Sequence, residues 1–220
     1  MRVAAFQPYL FPYIGYFKLI SEVDIFVVLD DVSFRKKSYI NRNTIKICGK
    51  PHNFTVPVKD VSQNRLINQH YYMNDGDLFV KMIGDYGRTA IFGHLKEYYE
   101  YVFSENNISG NVAEVNFLLI SKVCEMLQVK TKIIKSSSLL IDAVGERRII
   151  DICTSLGASC YVNPVGGIGL YGEETFLQAG LDLEFKDYRG LIAGDVAYSI
   201  LDDIFSKGVC NVSNILRSTL

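Results

Sequence analysis

Short apolar runs alternate with longer amphipathic segments along most of the chain. Residues 3–6 and 25–29 are short runs rich in β-branched and aromatic side chains, which is typical of buried strands. Between them lie a turn punctuated by proline and glycine and a segment long enough for a helix. This order predicts a βαβ unit, in which a helix joins two parallel strands of one sheet.

The alternation continues to the end of the chain and predicts an α/β fold. Residues 44–48 and 53–58 flank a turn and indicate a β-hairpin. The other predicted elements are helices at 75–91, 94–103, 111–127, 145–156, 173–179 and 199–205, and strands at 132–134, 159–163 and 181–185. We expect one domain over residues 1–220, in which residues 44–103 are a candidate insertion, made of the hairpin and helices, that acts as a lid.

Composition narrows the class of protein. A length of 220 residues with 49% hydrophobic content suits one folded domain, and a net charge of −1 makes nucleic acid an unexpected partner. Five dispersed cysteines without a CxxC pair argue against a zinc site and for a reducing compartment. Gln7, Pro8 and Pro12 interrupt the apolar start, and no apolar run approaches about 20 residues. We therefore expect a cytoplasmic protein with no membrane partner.

The first candidate site follows the first strand, because ligands of parallel sheets bind beyond the carboxyl ends of strands. Gln7 lies at that end, and a buried amide needs hydrogen-bond partners. Tyr9, Tyr13 and Tyr16 follow within a turn, and aromatic rings stack on sugars or bases. The alternatives are a structural amide and tyrosines that pack the edge of the core.

Two carboxylates follow the second strand directly. Asp30 and Asp31 are candidates for a general base or for holding Mg²⁺, and turn chemistry is the alternative. Neighbouring side chains of an extended chain face opposite ways, so we expect one of the two to enter the site.

Polar and glycine-rich segments supply further candidates. Cations interleaved with amides suit the binding of phosphate or carboxylate, although a solvated surface explains the lysines equally well. These residues are Lys36, Lys37, Asn41, Arg42 and Asn43. Asn163, Gly166 and Gly167 follow a predicted strand and would let a phosphate or sugar approach the backbone. Arg147, at the start of a predicted helix, is a further candidate for phosphate.

Longer motifs carry a resemblance to a known family. They are Gln7-Pro8-x-x-x-Pro12-x-x-Gly15-Tyr16-Phe17, Asp30-Asp31-Val32-x-Phe34, Ser38-Tyr39-x-Asn41-Arg42-Asn43, Glu146-Arg147 with Ile150-Asp151-x-Cys153, Tyr161-x-Asn163-Pro164-x-Gly166-Gly167 and Ser199-Ile200-Leu201-Asp202. On these motifs the chain resembles the WbqC-like family over nearly its whole length. The resemblance implies a role among the enzymes of O-antigen and other surface sugars, and the attachment of a small acyl or aminoacyl group, such as glycine, to an amino sugar.

A weaker resemblance concerns the start of the chain. Its strand, turn and helix are laid out like those of nucleotidylyltransferases and pantothenate synthetase, which implies a Rossmann-like sheet. Tyr13 and Tyr16 stand where those enzymes have two histidines, and Gly15 matches the glycine that lets the nucleotide approach the backbone. Tyrosine carries no positive charge near neutral pH, so adenylation by the usual route is in doubt.

Together these features predict a transferase or ligase that acts on a nucleotide-linked amino sugar. Asp30 or Asp31, together with Tyr13, would be the catalytic residues. Lys37 or Arg42 would bind the diphosphate. The donor stays open between an acyl-adenylate made with ATP and Mg²⁺, a charged tRNA and a thioester, and the oligomeric state is open too. The alternatives are an ATP-dependent nucleotidylyltransferase-like enzyme and a non-catalytic sugar-nucleotide-binding protein.

Overall fold

A parallel sheet of five strands forms the centre of the molecule. The computed structural model describes residues 1–73, 82, 84–103, 110–192 and 194–218. The strands are β1 (Arg2–Phe6), β2 (Ile25–Val28), β3 (Arg42–Ile47), β4 (Lys50–Thr55), β5 (Lys132–Lys135), β6 (Cys160–Pro164) and β7 (Asp182–Lys186). The parallel sheet has the order β5-β2-β1-β6-β7, and β3 and β4 form a separate antiparallel hairpin. The predicted α/β fold with a Rossmann-like sheet and a hairpin is confirmed.

Helices flank the sheet, and one of them was not predicted. They are α1 (Ile14–Ser21), α2 (Ala90–Phe103), α3 (Val112–Met126), α4 (Gly145–Ser155), α5 (Glu173–Gln178), α6 (Ile200–Lys207) and α7 (Val209–Arg217). Gly208, at φ +80°, ends α6 and also begins α7, which buries Val212 and Leu216 four residues apart. Residues 75–81 and 83 of the helix predicted at 75–91 lie outside the described residues. Among the described helices, none is both long and apolar enough to cross a bilayer.

The strands of the sheet send alternate side chains into two apolar layers, as the two-residue period of a strand requires. Val3 and Ala5 lie in one layer with apolar side chains of α4 and α5. Ala4 lies in the other layer with side chains of α1, α3, α6 and α7. Ile45 of the hairpin and Leu95 of α2 belong to that second layer. Described residues of the lid predicted for 44–103 thus pack on the core, and its function as a lid stays a prediction.

The connection from β1 to α1 lacks regular structure but is largely buried, so its carbonyl groups need partners from elsewhere. Asn116 of α3 supplies one of them, since its Nδ2 donates to the carbonyl oxygens of Pro8 at 2.9 Å and Ile40 at 2.7 Å. Its Oδ1 accepts from the hydroxyl of Tyr72 at 2.9 Å. A fully buried amide therefore ties three segments of the chain together.

Asn43 holds the middle of the same connection. Its Nδ2 donates to the carbonyl oxygens of Leu10 at 3.0 Å and Phe11 at 2.7 Å. Phe11 has a φ of +44°, a left-handed conformation that costs energy for a residue with a Cβ. The hydroxyl of Ser199 also donates to the Phe11 carbonyl, at 2.8 Å. These hydrogen bonds hold the connection in a conformation that its own sequence would not favour.

We predict that Asn116→Ala lowers the free energy of unfolding by about 2–4 kcal/mol, because buried carbonyl groups lose their donor. Asn211→Ala is the matched control, since the Asn211 amide donates to the carbonyl of Lys207 from an exposed position. We expect the control to change stability by less than about 0.5 kcal/mol. Urea denaturation measures both, and equal changes would contradict the role given to Asn116.

Candidate functional site

A cleft lies at the switch point of the sheet, the place where the strand order reverses between β1 and β6. Open parallel sheets bind ligands there, beyond the carboxyl ends of the strands. The cleft has a volume of about 530 Å³. Its polar wall includes Gln7, Tyr9, Arg35, Glu146, Arg148 and Asn163. The ends of β1, β2 and β6 and the start of α4 therefore meet in one cavity.

Two amides of the cleft have hydrogen-bonding capacity to spare. Within the described part of the chain, the Gln7 side chain has no hydrogen-bond partner, and the Asn163 side chain makes a single long bond, from Nδ2 to the Pro164 carbonyl at 3.4 Å. Asn163 is nonetheless 2% exposed. Buried amides in folded proteins are normally satisfied, so the spare capacity of Asn163 suits it to bind a ligand, as does that of the half-buried Gln7.

Tyr9 forms the aromatic part of the wall. Burial raises the pKa of its hydroxyl, and the neighbouring Arg35 guanidinium opposes that rise only in part. The hydroxyl therefore stays protonated near neutral pH and can donate a hydrogen bond. Its ring offers a face on which a sugar can pack.

The charged side chains of the cleft differ in how they are engaged. Arg148 donates to Asp31 at 2.5 Å and to the carbonyl oxygens of Ile141 at 2.6 Å and Ala143 at 3.2 Å. Its buried Nε has no partner among the described residues. Arg35, by contrast, is exposed, and no ion pair of its guanidinium is found in the described segments.

Among the described residues that line the cleft, Glu146 is the one with a carboxylate. Its Oε1 accepts from the backbone N–H of Gly172 at 2.5 Å, which joins the first turn of α4 to the start of α5. This bond fixes the carboxylate, and its second oxygen accepts no bond from the described residues. The cleft thus combines a cation, a carboxylate, two amides and an aromatic face.

Asp30 and Asp31 are not among the described residues that line the cleft. Asp30 is 2% exposed and accepts from the Ser136 hydroxyl at 3.2 Å and from the backbone and hydroxyl of Ser137 at 2.9 and 2.6 Å. Asp31 accepts from the same Ser136 hydroxyl and pairs with Arg148. The expectation that the two face opposite ways is wrong, because β2 ends at Val28 and the strand alternation ends with it.

This geometry gives both carboxylates a structural explanation. They join the end of β2 to the short 3₁₀ turn Ser136–Leu139 that follows β5. A general base must lie within hydrogen-bond reach of the proton that it takes. The geometry therefore leaves the catalytic role predicted for Asp30 and Asp31 without support.

Tyr13 and Tyr16 do not form an open phosphate site at the start of α1. Tyr16 is 3% exposed and its hydroxyl donates to the Gln7 carbonyl at 2.9 Å. A Cβ on Gly15 would lie 2.4 Å from Cε2 of Tyr13, so the glycine makes room for the Tyr13 ring and not for a nucleotide. Burial raises the pKa of both hydroxyls, which keeps them neutral. The residues present do not fit ATP bound in the manner of the histidine-containing nucleotidylyltransferases.

The segment 37–43 serves the fold more than the cleft. The Nδ2 of Asn41 donates to the Val56 carbonyl at 3.0 Å, and Asn43 holds the β1–α1 connection. Lys37 and Arg42 are exposed. Arg42 borders a separate hollow of about 240 Å³ beside the hairpin. A smaller slot of about 140 Å³, lined by Tyr9, Tyr13 and Tyr39 among others, lies between that hollow and the cleft.

The structure therefore divides the predicted site residues into two groups. Those in the wall of the cleft are Gln7, Tyr9, Asn163, Gly166 and Gly167. Those outside it are Tyr13, Tyr16, Asp30, Asp31, Lys37, Asn41, Arg42 and Asn43.

Sequence reasoning missed Arg35 and Arg148 and assigned no role in the site to Glu146. Arg147, the predicted phosphate ligand, is exposed and pairs with Asp151 at 2.9 Å. Arg148 is buried instead. Its spacing of four residues from the buried Ile152 places it on the inner face of α4, and this helical spacing is the signal that could have found it.

Comparisons with known proteins identify the family of the chain. The model of the WbqC-like protein family matches residues 7–213. The chain belongs to the WbqC-like family. It is also 26% identical over 220 residues to the uncharacterized protein Rv1507c of Mycobacterium tuberculosis (strain ATCC 25618 / H37Rv), an alignment that covers 94% of each chain. No solved structure is significantly similar to it. Membership of the WbqC-like family indicates, at most, a role in polysaccharide-related biosynthesis.

In this WbqC-like chain, one glycine of the loop after β6 is required by a side chain of the cleft. A Cβ on Gly167 would lie 1.7 Å from Nδ2 of Asn163, far closer than two non-bonded atoms can approach. A Cβ on Gly166 would meet nothing within 4 Å. The absence of a side chain at 167 therefore lets the Asn163 amide occupy its place in the cleft.

We predict that Gly167→Ala lowers the free energy of unfolding by about 1–3 kcal/mol, because the buried Asn163 amide must move. Gly166→Ala is the control and should change stability by less than about 0.5 kcal/mol. Chemical denaturation of the two variants beside the wild type measures the difference. Equal effects would show that the approach of Asn163 to Gly167 does not constrain the loop.

Proposed function

We propose that the protein is a transferase that attaches an acyl or aminoacyl group to the amino group of a nucleotide-linked amino sugar, in the synthesis of a surface polysaccharide such as O-antigen. The observation that carries this proposal is the switch-point cleft, in which two amides with spare hydrogen-bonding capacity, an aromatic face and one carboxylate meet. Membership of the WbqC-like family supports a polysaccharide-related substrate.

The polar groups suit a sugar. The Gln7 and Asn163 amides each offer donors and an acceptor to the hydroxyl groups of a sugar ring. The ring itself packs on Tyr9, whose protonated hydroxyl donates a further bond. Arg35 provides charge for the phosphate of the nucleotide.

Acyl transfer needs a base near the attacking amine. The neutral amine forms a bond to the carbonyl carbon of the donor, and the bond from that carbon to the donor's carrier breaks. The nitrogen then gives up a proton, which passes to Glu146 and from there to the departing carrier. Asp30 and Asp31 are less suited because Ser136, Ser137 and Arg148 already engage them. The donor is an activated ester or thioester.

Glu146→Gln tests the chemistry. The variant keeps an oxygen that can accept from Gly172 but loses the basic carboxylate. We expect formation of the N-acyl product from uridine-diphosphate-linked glucosamine and acyl or glycyl thioesters, followed by mass spectrometry, to fall by about 100-fold or more.

Glu173→Gln, at an exposed position in the first turn of α5, is the control and should keep the wild-type rate. A wild-type rate in Glu146→Gln would contradict the role of the base. Binding of the sugar nucleotide without product from any donor would favour the non-catalytic binding protein.

A further inference from the structure

We propose that the cleft holds its ligand in a single orientation, with a phosphate on Arg35 and the amino group at Glu146. This inference rests on the proposed function for the class of ligand, a sugar that carries both groups. It assigns the phosphate to a residue that the sequence did not single out, and it removes the phosphate from Lys37 and Arg42.

The distribution of charge in the cleft carries the argument. Arg148 is paired with Asp31, so its charge is balanced inside the protein. Arg35 and Glu146 form no ion pair with each other or with other described residues. They come from different segments, the loop after β2 and the first turn of α4. A cation and an anion that line one cavity without pairing complement a ligand that has a phosphate at one end and an amine at the other.

The surroundings of Arg35 favour an anion. Its guanidinium lies close enough to the Tyr9 phenol to oppose the effect of burial on the pKa of that hydroxyl. The Gln7 amide and the Tyr9 hydroxyl line the same cavity and can add neutral hydrogen bonds to phosphate oxygens. The Ser38 hydroxyl donates to the Arg35 carbonyl at 2.7 Å and so restrains the backbone of this loop.

The surroundings of Glu146 favour a positive or hydrogen-donating group. Its Oε1 is held by the N–H of Gly172, while Asn163 and Tyr171 line the cavity with it. The Tyr171 hydroxyl lies 3.5 Å from the Tyr161 hydroxyl, and burial raises its pKa, so it adds no negative charge near neutral pH. A phosphate at this end would face the carboxylate, which sets the direction of the ligand.

Two sugar phosphates that differ in one group test this orientation. Glucosamine 1-phosphate and glucose 1-phosphate share the phosphate, but only the first carries an amine. We expect Arg35→Gln to weaken the binding of both by about tenfold or more, as measured by titration calorimetry. Arg35→Lys should retain part of the affinity. Glu146→Gln should weaken only glucosamine 1-phosphate and bring its affinity to that of glucose 1-phosphate.

Arg147→Gln is the matched control, because Arg147 is exposed beside Glu146 in sequence and pairs with Asp151. Equal weakening of both ligands by Glu146→Gln would overturn the orientation. A loss of affinity in Arg42→Gln with none in Arg35→Gln would place the phosphate in the hollow beside the hairpin and overturn it as well. The calorimetric titration contains no acyl donor, so it does not depend on acyl transfer. If it gives the expected binding pattern while the product assay detects no N-acyl product, the proposed function is rejected and this inference stands.

Discussion

The cleft depends on the hydrogen bonds that satisfy the buried carbonyl groups of residues 7–12. This connection runs from the end of β1 to the start of α1 and has no regular backbone hydrogen bonds of its own. An unsatisfied buried carbonyl costs about 1–3 kcal/mol. Asn116, Asn43 and Ser199 donate to it from three distant segments, and the backbone N–H of Ile200 donates to Pro12 at 3.0 Å. Because the connection is held from all of these directions, Gln7 and Tyr9 stay in the wall of the cleft.

A second set of buried bonds fixes the other side of the cleft. Asp30 and Asp31 bind Ser136 and Ser137 after β5, and Asp31 orients Arg148 in α4. Arg148 in turn binds the carbonyl groups that precede α4. Breaking a buried pair of this kind leaves an uncompensated charge, so these residues stabilise the structure around the site. The side chains that make few bonds within the protein are therefore the ones available to bind the ligand.

The sheet, the hairpin and the main helices could be predicted from the sequence because their apolar residues recur at a clear strand or helix spacing, as in α3. The rule of strand ends also identified Gln7, Tyr9 and Asn163. It could not separate amides that bind a ligand from amides that bind the protein's own carbonyl groups, because Asn43 and Asn116 reach partners that are 33 and 108 residues away. The roles of Asp30 and Arg148 likewise depend on long-range contacts. Helix α7 was missed because a glycine that ends one helix also begins the next.

The central claim, that the cleft at the β1–β6 switch point binds a phosphorylated amino sugar, is tested most directly by hydrogen–deuterium exchange with and without glucosamine 1-phosphate. The account predicts slower exchange in the first turn of α4 and in residues 163–167, with no change in the hairpin strands β3 and β4. Protection confined to the hairpin and the segment around Arg42, with none at the start of α4, would contradict it.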